Sequence, residues 1–210
     1  MIHSPKPLPG FPLVIAGEIT QGFLDIGIED FRLAAGYVYR LPYGRNVDRA
    51  DYSLVLREDR GTCSTKHALL TRLAEEQNRN DVLLTLGIYE MDADNTPGVG
   101  PVLDRYGLSK IPEAHCYLKH NGVRVDLTHD GGSAAKPINH FLYEETISPA
   151  GIGSYKTTLH ERFLGGWSGL PASCGLDWRE LLSIREECIA ALSGGAVSGR
   201  YCGARRWLCP

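Results

Sequence analysis

The stretch His115 to Thr128 (HCYLKHNGVRVDLT) holds two runs of strand-forming residues on either side of Asn121-Gly122, the strongest short-range signal for a two-residue hairpin turn. Such a turn leaves the strands no choice of register. It pairs Tyr117 with Asp126 and His115 with Thr128. Alternation then puts these four side chains on one face, with His115 and Asp126 as diagonal neighbours about 7 Å or less apart between Cβ atoms. An imidazole and a carboxylate can bridge that gap. A carboxylate that accepts one ring N–H leaves the other nitrogen free to take a proton from a thiol. The same pair on an isolated hairpin can equally be a polar cross-strand contact facing water. Cys116 alternates to the opposite face and is expected to be a core thiol.

A thiol suited to that histidine stands upstream. Thr62 to Gln77 (TCSTKHALLTRLAEEQ) is expected to be a helix entered at Gly61-Thr62, with Leu69, Leu70, Leu73 and Ala74 on its apolar face. Cys63 falls in its first turn, where unpaired N–H groups and the positive end of the helix dipole favour thiolate over thiol. The plainer reading is a small buried hydrophobe, as most free cysteines are. His67 lies one turn on, on the same helix face, and is a rival base. It lacks an evident carboxylate to orient it and leans back along the helix, so a packed or supporting role is expected. His120 and His129 are expected to be solvated.

Around these elements, residues 1–27 read as a Pro-rich extended segment, Ile28 to Leu41 as a helix, Pro42 to Arg60 as a polar loop, and Val82 to Tyr89 as a buried strand. Residues 92–112, dense in Gly, Pro and Asp, read as a loop that rims or covers a site. Residues 131–175 read as irregular. Asp177 to Leu192 reads as an amphipathic helix with Trp178, Leu181, Leu182, Ile189 and Leu192 inward. The expected organisation is therefore an extended segment 1–27, a catalytic core 28–130, and a C-terminal extension 131–210 packed on that core. With 210 residues, 43% of them hydrophobic, the chain can bury one such core. The formal net charge of -3 gives no drive toward nucleic acid or anionic lipid. No run approaches the about 18 apolar residues of a membrane span. The opening residues lack the pattern of an export signal, so a cytoplasmic, reducing location with six free cysteines is expected. The Cys202 and Cys209 spacing does not match a structural zinc hook.

RGTCSTKHALL (Arg60 to Leu70), then a buried strand, then EAHCYL (Glu113 to Leu118) and VRVDLT (Val123 to Thr128) resemble the Cys, His and Asp blocks of transglutaminase-like proteins over residues 28–130. The resemblance implies an α+β fold with a papain-like core, its nucleophile at a helix N-terminus packed on an antiparallel sheet. It further implies Cys63 as nucleophile, His115 as base and Asp126 as orienting acid. The implied activity is that of a thiol hydrolase or acyltransferase acting on peptide or amide substrates, proteins among them, without metal or organic cofactor. The chain departs from many relatives in that Cys116 follows the histidine directly and the hairpin is tight. An oxyanion would be held by the Cys63 backbone N–H and one side chain, with Gln21 and Asn46 as upstream candidates. Two other readings remain: a non-catalytic binding domain of the same fold, and a zinc site built from Cys63, His67 and His115 or Cys116.

Overall fold

The structure is a computed structural model that describes residues 1, 4–128 and 136–192. It is a mixed helix and sheet protein, and every strand pairing in its one four-stranded sheet is antiparallel. Strand β1 (Leu83–Met91) pairs with β2 (Ile111–His120), β2 with β3 (Val123–Val125), and β1 also with β4 (Tyr143–Thr146), giving the order β3-β2-β1-β4. Asn121 and Gly122 both take positive φ (49° and 78°), the conformation of a type I′ turn, whose twist matches that of the strands. His120 pairs with Val123 and Leu118 with Val125, the register expected from the sequence.

Local chemistry explains several element boundaries. Helix α2 (Phe31–Arg40) starts three residues later than Ile28, because the Asp30 carboxylate accepts the Arg32 and Leu33 N–H groups at 2.8 and 3.2 Å. It stops at Leu41, which is extended as a residue before proline should be. Helix α4 (Cys63–Glu76) begins on a capping box between Thr62 and Thr65.

Elsewhere the structure corrects the sequence expectations. Residues 1–27 contain helix α1 (Glu18–Asp25), and the 42–60 loop contains α3 (Leu54–Glu58). Residues 92–112 contain α5 (Gly100–Arg105) and the start of β2; Val99, Val102, Leu103 and Leu108 are buried there, so the segment is core rather than cover. The stretch 131–175, expected to be irregular, supplies β4 and the 14-residue helix α6 (Ser154–Trp167). Helix α7 (Trp178–Leu192) forms as expected, with Leu181, Ile184, Cys188 and Ile189 buried.

Each missed helix is held by distant partners. The α1 N-terminus has no side-chain cap of its own; the Glu76 carboxylate, from the far end of α4, accepts the Thr20 N–H at 2.7 Å and the Ile19 N–H at 3.3 Å. The buried face of α6 includes His160 among Leu159, Leu164 and Trp167. Its Nε2–H donates to the Pro112 carbonyl at 2.8 Å, so a polar residue fills a core position.

Three apolar clusters result. One joins α1, α2 and α4 to the hairpin end of the sheet, a second joins α5, α6 and α7 to its other end, and a third lies where α4 meets β1 and β2. Among the described residues no helix is long and apolar enough to cross a membrane.

Candidate active site

Cys63 is the first residue of α4 and only 6% exposed. The backbone behind it is tightly placed. Gly61 bridges to Tyr43, and a Cβ on Gly61 would lie within 3.0 Å of Thr65, Lys66 and Val55, so a glycine is required one step before the cap. The Asn46 Oδ1 accepts the Thr65 hydroxyl at 2.8 Å, while its Nδ2 donates to the Arg60 carbonyl (3.0 Å) and to Glu58 (3.2 Å). Both amide hydrogens are therefore committed. Asn46 pins the loop to the helix entrance and is not the oxyanion donor considered above. Gln21 is exposed on α1, donates to Asp25 at 2.6 Å and is absent from the walls around Cys63.

His115 and Asp126 meet as the hairpin register requires. His115 Nε2–H donates to Asp126 Oδ2 at 2.8 Å, and Asp126 Oδ1 accepts the Thr128 N–H at 2.9 Å together with the Thr128 hydroxyl. With Nε2 engaged, Nδ1 is the ring nitrogen left for the Cys63 side chain, which lies near enough that the charge of each group acts on the other. Cys63, His115 and Asp126 thus come together although 52 residues separate the first two. The imidazole lies between Tyr89 (5.9 Å between ring centres) and Tyr117 (6.1 Å). Opposite it in the ladder is Gly87, where a Cβ would stand 2.4 Å from the Phe141 ring; that ring packs on both tyrosines.

The electrostatics follow from this packing. Burial alone would raise the Cys63 thiol, but the positive charges of Lys156 and His115 outweigh it and bring the group down to about 6. Burial works against a charged His115, yet the Asp126 carboxylate and the Cys63 thiolate hold it well above its ordinary value. Asp126, buried and so disfavoured as an anion, is nonetheless kept far below the usual carboxylate range by His115. A thiolate–imidazolium pair is the resting state these shifts describe.

His67 is a strut. The Leu127 N–H donates to its Nε2 at 2.7 Å, so its Nδ1 carries the proton and donates to the Cys63 carbonyl at 2.7 Å. It ties the first turn of α4 to the segment bearing Asp126. With both nitrogens committed it can serve neither as base nor as metal ligand, which removes a donor from the zinc reading. Among the described residues no group of three or more His, Cys, Asp or Glu is placed to hold a metal ion. Cys116 is fully buried and its thiol is pushed up by desolvation. His120, expected to be solvated, is 9% exposed and joins Pro7 to Asp81. His129, Cys202 and Cys209 lie outside the described residues.

Burial pushes the His67 ring down to about 4. That is below its unfolded value of about 6.5, so as pH falls from 6.5 to 4 the unfolded chain takes up a proton that the native ring refuses. Stability is lost across that window, by about 3 kcal/mol at about 1.4 kcal/mol per pH unit. His160 adds in the same direction, its ring lowered by burial. Cys63 and His115 act only at the top of that window and in opposite senses: as pH falls through about 6 the native thiolate takes up a proton the unfolded thiol already holds, which lowers stability, while the unfolded His115 ring gains the proton the native one already holds, which raises it. His67→Gln keeps a donor and an acceptor but no titrating ring. Urea denaturation at a series of pH values should show a shallower loss between 6.5 and 4 in that variant; an unchanged slope would assign the proton elsewhere.

A cavity of about 560 Å³ opens beside Cys63, walled by the 42–50 loop, α6 and α7. None of residues 92–112 lines it. The polar 42–60 segment does, through Tyr43, Arg45 and Asn46. Two features of the cavity escaped sequence reasoning. Lys156 of α6 donates to the Ser64 hydroxyl at 2.6 Å, with its Nζ 3.9 Å from the Cys63 sulfur. Arg185 of α7 grips the buried Glu113 with two hydrogen bonds and also reaches Glu186, which Arg45 holds from the loop. Strand alternation does place Glu113 on the His115 face; no periodic signal marks Lys156 or Arg185. Compared with known protein families, with curated proteins and with solved structures, the chain matches none.

Proposed function

We propose that this chain is a cysteine-dependent enzyme of acyl chemistry on amide or ester carbonyls, built on a papain-like, transglutaminase-like core. One arrangement supports the reading: a helix-terminal thiol whose ionisation is favoured by a neighbouring histidine, which itself donates to a buried carboxylate, with the thiol lining a cavity. The Cys63 sulfur attacks the carbonyl carbon and the π pair moves to oxygen. Collapse returns that pair and expels the amine or alcohol, which takes a proton from His115 Nδ1. The acyl-thioester is then opened by water or an amine, deprotonated by the now neutral His115, and the thiolate is regenerated. Asp126 holds the ring's tautomer and steadies the imidazolium throughout. Peptide hydrolysis, glutamine deamidation and amine transfer all pass through this intermediate, and a peptide side chain presented by a protein fits the cavity's size.

p-Nitrophenyl acetate tests the reading without knowledge of the natural substrate. A burst of about one nitrophenolate per chain is expected, with the acetyl group found by mass spectrometry on the Cys63 peptide. Cys63→Ala should abolish both. A binding domain of the same shape would give no burst, and a burst that persists in Cys63→Ala would overturn the assignment.

A further inference from the structure

The acyl mechanism needs a donor for the tetrahedral oxyanion besides the Cys63 N–H, and the two upstream amides do not supply it. Asn46 has spent both amide hydrogens on Arg60 and Glu58, and Gln21 is exposed on α1. His115 must keep Nδ1 for the leaving group. What stands at the sulfur instead is an ammonium. Lys156 Nζ donates to Ser64 Oγ at 2.6 Å and, more weakly, to Cys63 Sγ at 3.9 Å. An ammonium has three hydrogens, so one is uncommitted, and the one on sulfur can turn to a bound oxygen as the charge leaves the sulfur. Cys63, Ser64 and Lys156 line the same cavity, so a carbonyl bonded to the sulfur from that side has its oxygen between the α4 N-terminus and Nζ. The other cations of the cavity are turned elsewhere: Arg185 to Glu113 and Glu186, Arg45 and Arg49 to Glu186.

Resting on the acyl reading above, we infer that Lys156 is a catalytic residue whose ammonium, with the Cys63 backbone N–H, holds the oxyanion of the tetrahedral intermediate. As the C–S bond forms and the π pair moves to oxygen, the new negative charge lies beside a fixed cation in a site sheltered from water. There such a contact acts more strongly than on an exposed surface. The charge passes from sulfur to oxygen while Lys156 stays in place, so the same group serves thiolate and intermediate in turn. Ser64 holds the ammonium in position for both.

Two reagents separate this role from mere tuning of the thiol. Iodoacetamide alkylates the thiolate by displacement and makes no oxyanion; p-nitrophenyl acetate acylates it through one. Rates for both are read as pH profiles, and the plateaus above each variant's thiolate midpoint are compared, so that a shifted midpoint drops out. In Lys156→Met the alkylation plateau should stay within about twofold of the parent while the acylation plateau falls roughly 10²- to 10³-fold. Lys156→Arg, which restores a cationic donor, should recover most of that loss. Lys156→Gln, a neutral donor, should fall between them and serves if the methionine variant does not fold. Equal plateaus for both reagents would limit Lys156 to setting the thiol's ionisation and overturn the inference. So would a parallel fall in both reactions, or a larger selective acylation loss in Tyr43→Phe, another hydroxyl of the cavity wall. In each of these cases the acyl reading survives, provided that Cys63→Ala abolishes the burst; if it does not, both fall together.

Discussion

Iodoacetamide is expected to label Cys63 ahead of Cys116, Cys174 and Cys188, with a rate that is half-maximal near pH 6. At that pH a thiol of ordinary pKa, about 8.5, has well under one per cent of its population as thiolate, against about half for Cys63, so the reactive form differs by roughly 10²-fold. Cys116 is fully buried with its thiol raised, and burial pushes Cys188 up to about 12. Removing a positive neighbour withdraws support from the anion, so His115→Ala and Lys156→Met should each move the midpoint upward. Lys156 is expected to move it by a comparable amount, because its charge and that of His115 both lower the thiol. Asp126→Asn should shift it less, since the imidazole remains but is no longer held protonated. His67→Gln should leave the profile nearly in place, its ring being neutral already. A parent midpoint near 8.5, or labelling shared evenly among the four thiols, would remove the basis for calling Cys63 the nucleophile.

Arg185→Met should be among the most destabilising single changes in the protein. Glu113 has a side chain only 5% exposed, and Arg185, 12% exposed, meets both of its carboxylate oxygens. Deleting the guanidinium strands a buried carboxylate, a change that costs about 3 to 5 kcal/mol. Glu113→Gln should cost less in the same measurement, because a neutral amide remains where the charge was and Arg185 keeps Glu186. The double variant should regain a large part of the loss, since no unpaired anion is left. The pair also sets an acid limit. Burial disfavours the Glu113 anion, but Arg185 brings the group down to about 2, below its unfolded value of about 4.3. Its stabilisation is therefore complete above that unfolded value and is lost as pH falls toward 2. Urea midpoints of the four proteins at neutral pH test the first point. A loss under about 1 kcal/mol for Arg185→Met would place the pair among ordinary surface bridges.

What could be read from the chain alone was what short-range geometry dictates. Asn121-Gly122 admits one turn type, the turn admits one register, and that register puts Asp126 beside His115 whatever else the chain does. The entry at Thr62 likewise places Cys63 on free N–H groups by local capping. The expectation that His67 is a supporting residue came from helix geometry, and its two hydrogen bonds agree with it.

Everything that depended on a distant partner was decided by the tertiary structure. Helix α1 starts where Glu76, 56 residues beyond Thr20, supplies its missing cap. Helix α6 hides because one of its buried positions is His160, which counts as core only once the Pro112 carbonyl is there to meet it. Residues 92–112 have a loop's composition, yet they are covered by α7, whose arrival no local pattern announces. The site itself divides in the same way. His115 and Asp126 are joined across a turn, whereas Lys156 and Arg185 reach Cys63 and Glu113 from helices 93 and 72 residues further along the chain. A local contact is specified by a few torsions, but a buried charge becomes favourable only when its counter-charge is packed against it, and that pairing exists only in the folded protein.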